Sequence, residues 1–197
     1  GVEEIPYSKI DKKGKLNINL PNTVNILPPE YDQLTDEITG SILIKYNESL
    51  TEISGFDNLI RVGSYLSVES NKSITDINGF NSLEVVGWRF IIESNKSLTK
   101  ITGFGNLTSI GWSLSINSNP SLTEIIGFNN LTSVSGDLHI KSNESLTDIT
   151  GFNNLKEIGM NLFINNNPKL VTMSIQGNLV RAVDYDSGYG IIYDNDL

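Results

Sequence analysis

The chain lacks cysteine, which removes disulfide bonds and thiolate metal sites from consideration. It has a single histidine, His139, without a histidine or cysteine partner, so we expect no cofactor and no metal centre of that kind. Basic residues are few, 14 against 23 acidic ones, and the net charge of −9 argues against nucleic acid as a partner. No apolar run approaches the ~20 residues of a membrane helix, so we expect no membrane insertion by this segment. Gly1 carries no basic-then-apolar leader ahead of it, which indicates a signal peptide that is absent or already trimmed.

What the chain does have is a repeat. Asparagine recurs every 24 residues, at Asn47, Asn71, Asn95, Asn119, Asn143 and Asn167. Gly-Phe pairs keep the same interval and end at Phe56, Phe80, Phe104, Phe128 and Phe152. A fixed period in the range of about 20–50 residues predicts a solenoid, in which each coil stacks on its neighbours.

Apolar spacing within one unit predicts the path of the chain. Pairs such as Leu114-x-Ile116 alternate with period two, which indicates a short strand with one face inward, and successive coils place these strands in a parallel sheet. After the asparagine the spacing becomes three, with inward candidates at Leu98, Ile101, Phe104, Leu107 and Ile110. That pattern fits a chain that bends often, and we expect glycine at the corners to supply the unusual dihedral angles. The fold class is therefore all-β, a parallel β-solenoid of 24-residue leucine-rich-like repeats with little helix.

The asparagine column has a structural explanation. A coil corner turns backbone N–H and C=O groups inward, and stacked asparagine side chains offer both donors and acceptors to satisfy them. A second polar column after the phenylalanine is expected to do similar work at its own corner; its members are Asn58, Ser82, Asn106, Asn130 and Asn154.

The domain organisation is predicted as a single solenoid over 1–197. Residues 1–38 are predicted to form an N-terminal cap, with a degenerate first coil at Leu16, Ile18 and Leu20 and a turn of helix in the segment 28–38. Residues 39–182 hold six repeats of 24 residues, the last of them degenerate, and 183–197 form a C-terminal cap, by a terminal strand or irregular structure.

The pattern L-x-I-x-x-N-x-x-L-x-x-I-x-G-F-x-N-L-x-x-I-x-G, over roughly residues 38–182, resembles the receptor L domain of growth-factor and insulin-type receptors. It is equally similar to leucine-rich surface proteins of bacteria, especially Bacteroidetes. The resemblance implies a right-handed solenoid that binds proteins or serves at a cell surface. It therefore implies an extracellular or cell-surface location, with the signal peptide trimmed and neighbouring domains of a longer chain as an option.

Outward positions of the predicted sheet suggest a binding face, because they carry aromatic and apolar side chains where serine or threonine would suffice. The candidate residues for an unknown protein or glycan ligand are Tyr65, Trp88, Arg89, Ile91, Trp112, His139 and Phe163. Trp88 and Trp112 occupy even-numbered positions, as do the inward residues of the neighbouring strands. Filling of the core at a corner therefore explains these two tryptophans as well as ligand binding does. Without a catalytic cluster, we expect a non-catalytic recognition or adhesion module. An inert spacer that displays another domain is the competing role.

Three alternatives remain open. Glu69 and Glu93 fall on adjacent coils about 5 Å apart, a spacing that suits a polysaccharide-active carboxylate pair, although a solvated charged edge also explains them. Serine and threonine columns through Ser97 and Thr99 resemble the hydroxyl ladders of ice-binding solenoids, although corner turns and short strands also favour these residues. Asp184 and Asp186 form a weak calcium-loop pattern in the acidic tail.

Six N-x-S/T sequons also occur, at Asn47, Asn71, Asn95, Asn106, Asn130 and Asn143. We interpret them as a by-product of the repeat, because a buried asparagine cannot accept a glycan.

Overall fold

The computed structural model of the protein describes residues 16–18, 36–175, 181–182 and 191–194. Within these residues every regular element is a β-strand, and none is a helix. No described segment forms a helix of the length and apolarity needed to cross a membrane. The protein is a parallel β-solenoid of about six turns, as the repeat predicts.

The strands of the described residues form three parallel sheets. Sheet 1 has the longest strands, β1 (Leu16–Ile18), β3 (Ile42–Lys45), β6 (Leu66–Glu69), β9 (Phe90–Glu93), β12 (Leu114–Asn117), β15 (Leu138–Lys141), β18 (Leu162–Asn165) and β21 (Ile191–Asp194). Sheet 2 consists of β4 (Glu52–Ile53), β7 (Asp76–Ile77), β10 (Lys100–Ile101), β13 (Glu124–Ile125), β16 (Asp148–Ile149) and β19 (Thr172–Met173). Sheet 3 consists of β2 (Asp36–Ile38), β5 (Leu59–Val62), β8 (Val85–Val86), β11 (Ser109–Ile110), β14 (Ser133–Val134), β17 (Glu157–Ile158) and β20 (Arg181–Ala182).

Each of the six coils between residues 42 and 182 contributes one strand to each sheet, and neighbouring coils pair at an offset of 24 residues, as in Leu114 with Leu138. The offset persists into the sixth coil, where Thr172 pairs with Asp148 although the Gly-Phe pair is missing. It changes at the ends, where Leu16 pairs with Ile42 and Ile191 with Leu162. Asp36–Ile38 belongs to a strand, so the expected turn of helix does not extend over these three residues; residues 28–35 and most of both predicted caps lie outside the described residues.

The core is one continuous column inside the three sheets. The inward positions predicted from the spacing of three are all fully buried, including Leu98, Ile101, Phe104, Leu107 and Ile110. The phenylalanines stack coil on coil, and Phe104 lies 5.3 Å from Phe80 and 5.4 Å from Phe128 between ring centroids. Burial of identical side chains at every level is what fixes the 24-residue interval.

The prediction that glycine supplies the unusual dihedral angles at the corners is wrong. The left-handed conformation occurs at the residue before each ladder asparagine, with φ of 54° to 59°, and it is taken by tyrosine, serine or asparagine, as in Ser94 (φ 57°). Glycine is needed instead because coils approach closely: a Cβ on Gly111 would lie 2.1 Å from the carbonyl oxygen of Gly87. The glycine columns therefore serve backbone packing between coils.

Candidate recognition face

The asparagine ladder fixes the corner where sheet 1 ends. Asn95 is fully buried, its Nδ2 donates to the carbonyl oxygen of Val68 at 2.9 Å, and its backbone N–H donates to Oδ1 of Asn119 at 3.0 Å. The carboxamide oxygen of Asn95 accepts in turn from the backbone N–H of Asn71 at 3.0 Å. Asn71, Asn119 and Asn143 make the same bonds, so each inner ladder residue connects three coils and the ladder holds the strands of sheet 1 in register.

The second polar column works differently from the ladder. Asn106, Asn130 and Asn154 are exposed, yet the Nδ2 of each donates at 2.7 Å to a backbone carbonyl of the preceding coil. These residues satisfy backbone acceptors as expected, but from the solvent side of the corner.

The outward side of sheet 1 carries three parallel columns, which we call the sheet 1 face. The central column is Leu43, Ser67, Ile91, Ser115, His139 and Phe163. A second column lies at the ends of the strands, next to the ladder; it is Lys45, Glu69, Glu93, Asn117, Lys141 and Asn165. The third, at the entry of the strands, is Ser41, Tyr65, Arg89, Ser113, Asp137 and Asn161.

The two tryptophans lie outside the core, so the interpretation that they fill it is wrong. Trp88 is 41% exposed, and its indole stacks on that of Trp112 with ring centroids 5.1 Å apart and planes 7° apart. The alternation of inward and outward side chains gave the wrong side for them, because it applies only inside a strand and both tryptophans precede their strands, β9 and β12. The pair forms an aromatic platform at the edge of the sheet 1 face.

The N-terminal half of the face combines an ion pair with apolar surface. Nζ of Lys45 lies 2.7 Å from Oε1 of Glu69, which also accepts from the hydroxyl of Ser67. Ser67 is almost fully buried although it points outward. Tyr65 is 37% exposed, and Arg89 and Ile91 follow on the next coil, one exposed and the other half-buried. Three of the predicted binding residues are therefore neighbours on one surface.

The C-terminal half is a cluster around the only histidine of the chain. The rings of His139 and Phe163 stack at 4.8 Å, and Nζ of Lys141 lies 4.4 Å from the centroid of Phe163. Nε2 of His139 is 3.6 Å from Oδ2 of Asp137, whose Oδ1 accepts from the amide of Asn161 at 2.7 Å. Burial lowers the pKa of His139 below its ordinary value and Lys141 lowers it further, while Asp137 opposes both.

The sequence-based search named His139 and Phe163 but missed Asp137, Lys141 and Asn161. Asp137 precedes β15 and Lys141 ends it, so on the same coil they flank His139 at two-residue intervals. The alternation of His139 and Lys141 inside β15 is the signal that would have found Lys141, since such residues share one face of a strand, whereas Asp137 and Asn161 precede their strands and carry no such signal.

In the structure, one carboxylate of the alternative enzymatic site and the threonine hydroxyls of the alternative ice-binding site are already engaged in contacts within the protein. Glu69 and Glu93 pair in register on adjacent strands, but Glu69 is already engaged by Lys45 and Ser67. The hydroxyls of Thr75, Thr99, Thr123 and Thr147 each donate to a backbone carbonyl of the preceding coil, at 3.0 to 3.2 Å. No group of three or more metal-ligating side chains occurs among the described residues, and Asp184 and Asp186 lie outside them.

The sequons divide into two classes. Asn47, Asn71, Asn95 and Asn143 are buried in the ladder, whereas Asn106 and Asn130 are exposed on the second polar column. The buried amides are committed to the fold, in agreement with their interpretation as part of the repeat.

Comparison of the chain with protein-family models, with curated proteins and with solved structures found no match.

Proposed function

We propose that this solenoid is a non-catalytic recognition or adhesion module that binds a protein or glycan through the sheet 1 face. The observation that carries the proposal is the exposed stack of Trp88 on Trp112. The corresponding positions of neighbouring coils are Ser64, Gly136 and Met160, so the solenoid does not require an aromatic residue there. Trp88 is exposed and Trp112 half-buried, and a pre-stacked pair of indoles offers a rigid contact area at low entropic cost.

The rest of the face supports the same function. Tyr65, Arg89 and Ile91 continue the surface on the N-terminal side, and His139 and Phe163 continue it on the C-terminal side. Aromatic residues and arginine are the side chains enriched at binding hot spots. The face is held rigidly by parallel strands and the ladder beneath them, which limits the entropy lost on binding.

The pattern of the repeat supports a more specific placement. Its resemblance to receptor L domains and to leucine-rich surface proteins of bacteria favours a cell-surface or extracellular location as part of a longer chain. The absence of cysteine sets this solenoid apart from receptor L domains, which carry capping disulfides, and the bacterial comparison is therefore the better one.

The test compares the parent with Trp88→Ser/Trp112→Ser on arrays of glycans and of purified extracellular proteins. We expect capture by the parent and at least a tenfold loss in the double variant. Ile60→Ser is the matched control, because Ile60 is equally exposed at 40% but lies on sheet 3. Capture that survives in the tryptophan variant and disappears in the control would place binding on another face and contradict the proposal.

A second comparison separates recognition from catalysis. Glu69→Gln/Glu93→Gln removes the carboxylates of the enzymatic alternative and preserves side-chain shape. Turnover of a polysaccharide by the parent, lost in this variant, would replace the recognition module with an enzyme.

A further inference from the structure

One strand in the middle of the sheet 1 face carries only small outward side chains. Ser115 and Asn117 point outward from β12, and Ser113, which directly precedes the strand, is only 6% exposed. The strands on both sides carry larger groups: Arg89, Ile91 and Glu93 at β9, and Asp137, His139 and Lys141 at β15. The result is a trough that follows β12, with serine and asparagine as its floor and β9 and β15 as its walls; we call it the β12 trough.

The trough has the dimensions of one extended chain. Its walls are two strand spacings apart, about 10 Å between backbones. From Trp112 to Asn117 it runs roughly 16 Å at the rise of a β-strand. Trp112 immediately precedes Ser113, so the tryptophan platform lies at one end of the trough. A ligand in the trough therefore meets an aromatic surface at its end and polar groups along its length.

The two walls carry opposite charges at each end of the trough, and the sign on each wall changes from one end to the other. Across Ser113, Arg89 faces Asp137, and across Asn117, Glu93 faces Lys141. Within the described residues, neither Arg89 nor Glu93 has an ion-pair partner within 4 Å. The four charges cancel, and a cation and a carboxylate are presented at both ends. This arrangement favours a neutral ligand that donates and accepts hydrogen bonds at every position.

The floor contains a polar atom that lacks a partner. Oδ1 of Asn117 is buried and accepts no hydrogen bond from the described residues. It lies between Glu93 and Lys141, which are both half-buried and have flexible side chains. A ligand hydroxyl that displaces one of these side chains would supply the missing donor, as buried polar groups normally require.

A peptide fits this trough poorly. The backbone of β12 pairs on one side with β9 and on the other with β15, so the trough offers no free strand edge for β-augmentation. The amides of an extended peptide would enter the trough without backbone partners. A sugar chain has no such requirement, because each hydroxyl both donates and accepts and the C–H face of a pyranose ring stacks on an indole.

We propose that the β12 trough binds a neutral oligosaccharide along β12, with one pyranose ring on Trp112 and hydroxyls on the four charges of the walls and on Asn117. The site accommodates about three rings, given the roughly 16 Å of strand that it follows. This inference rests on the proposed function and narrows its ligand from protein or glycan to an uncharged glycan.

The probes are neutral cello-, xylo-, manno- and malto-oligosaccharides of one to six units, with oligogalacturonate as the anionic comparison. Binding to the parent is measured by titration calorimetry and by tryptophan fluorescence. We expect at least one neutral series to bind, with affinity that increases up to about three units and changes little with salt, since the charges of the trough cancel.

Ser115→Ile fills the trough with the side chain that Ile91 already places in the same column, and we expect at least a tenfold loss of affinity. Ser133→Val is the matched control: it makes a similar change on sheet 3, where Val85 occupies the same column, and should bind like the parent. Asn117→Lys blocks the other end with the residue found at Lys45 and Lys141, and it tests the site independently if Ser115→Ile fails to fold.

The outcomes separate this inference from the proposed function. Saccharide binding that is unchanged in Ser115→Ile and Asn117→Lys would remove the trough as its location. A protein ligand lost in Trp88→Ser/Trp112→Ser, without binding of any neutral oligosaccharide, would overturn the inference and leave the recognition face standing. If Trp88→Ser/Trp112→Ser still binds every protein and saccharide that the parent binds, both the inference and the proposed function are overturned.

Discussion

Two stacks of identical aromatic rings run along this solenoid, phenylalanine inside and tryptophan outside. The phenylalanine stack passes through five successive coils from Phe56 to Phe152, with centroid distances of 4.7 to 5.4 Å. The tryptophan stack has nearly the same spacing, 5.1 Å, but involves only Trp88 and Trp112. The rise of the coil sets the distance in both places, so distance alone does not distinguish their roles.

The difference lies in what each stack excludes from water. The phenylalanines are fully buried, and loss of a ring from any of these five coils would leave a cavity in the core. Trp88 is 41% exposed, and the coils on either side of the tryptophan pair have serine and glycine in that column. The regular inner column is thus explained by stability, whereas the interrupted outer column is not, and the proposed binding role rests on that difference.

The largest expected effect comes from breaking the inner stack. Phe104→Ala should lower the free energy of unfolding by about 3–5 kcal/mol, because it removes a ring that contacts Phe80, Phe128 and Phe90. Phe152→Ala should cost less, since Phe152 stacks on Phe128 alone among the described rings. Denaturant unfolding of both variants checks this, and negligible loss in both would mean that the stack does not hold the core.

Removing one residue of the ladder should have the next largest effect. Asn95→Ala removes the Nδ2 donor to the carbonyl of Val68 and leaves the N–H of Asn71 without its acceptor, so we expect a loss of about 1–3 kcal/mol.

The matched control for the ladder is Asn106→Ala. Asn106 also donates to a backbone carbonyl, that of Asn81 at 2.7 Å, but it is exposed, and water can replace its amide. Similar denaturant midpoints for Asn95→Ala and Asn106→Ala would show that burial of the ladder contributes little.

The interior of the fold was predictable because its columns repeat. The 24-residue spacing of asparagine and phenylalanine predicts stacked coils, and the spacing of three at Leu98, Ile101 and Phe104 predicts one inward residue per short edge. These inferences hold because identical levels must bury identical groups.

The predictions that failed concern features that the residue pattern of a single coil does not contain. Glycine in the column of Gly111 is required by contact with the preceding coil, and a local dihedral argument does not contain that contact. The tryptophans were considered as core residues because the alternation of side chains was applied to positions that precede β9 and β12. The β12 trough was missed because it arises from side-chain size on three strands, 24 residues apart, compared across the sheet.

A smaller effect concerns the outer face and pH. The pKa of His139 is lowered in the folded protein, so the unfolded chain binds the proton more readily as the pH falls through about 6.5. The parent should therefore lose stability between pH 7.5 and 5.5, by less than either loss above, and His139→Ser should lose less over the same interval. Parallel denaturant curves at the two pH values check this, and a parent that gains stability on acidification would contradict the sign.

The smallest effect on stability should come from breaking the outer stack. Trp88→Ser/Trp112→Ser should change the free energy of unfolding by no more than about 1 kcal/mol, as exposed substitutions usually do. The backbone already accepts serine at this corner: the N–H of Ser64 donates to Gly40 at 2.8 Å, in the same way that Trp112 donates to Trp88 at 2.9 Å. Denaturant unfolding of the double variant beside Phe104→Ala compares the two stacks directly. A loss as large as that of Phe104→Ala would show that the tryptophans stabilise the coil, and the main argument for a binding role would then fail.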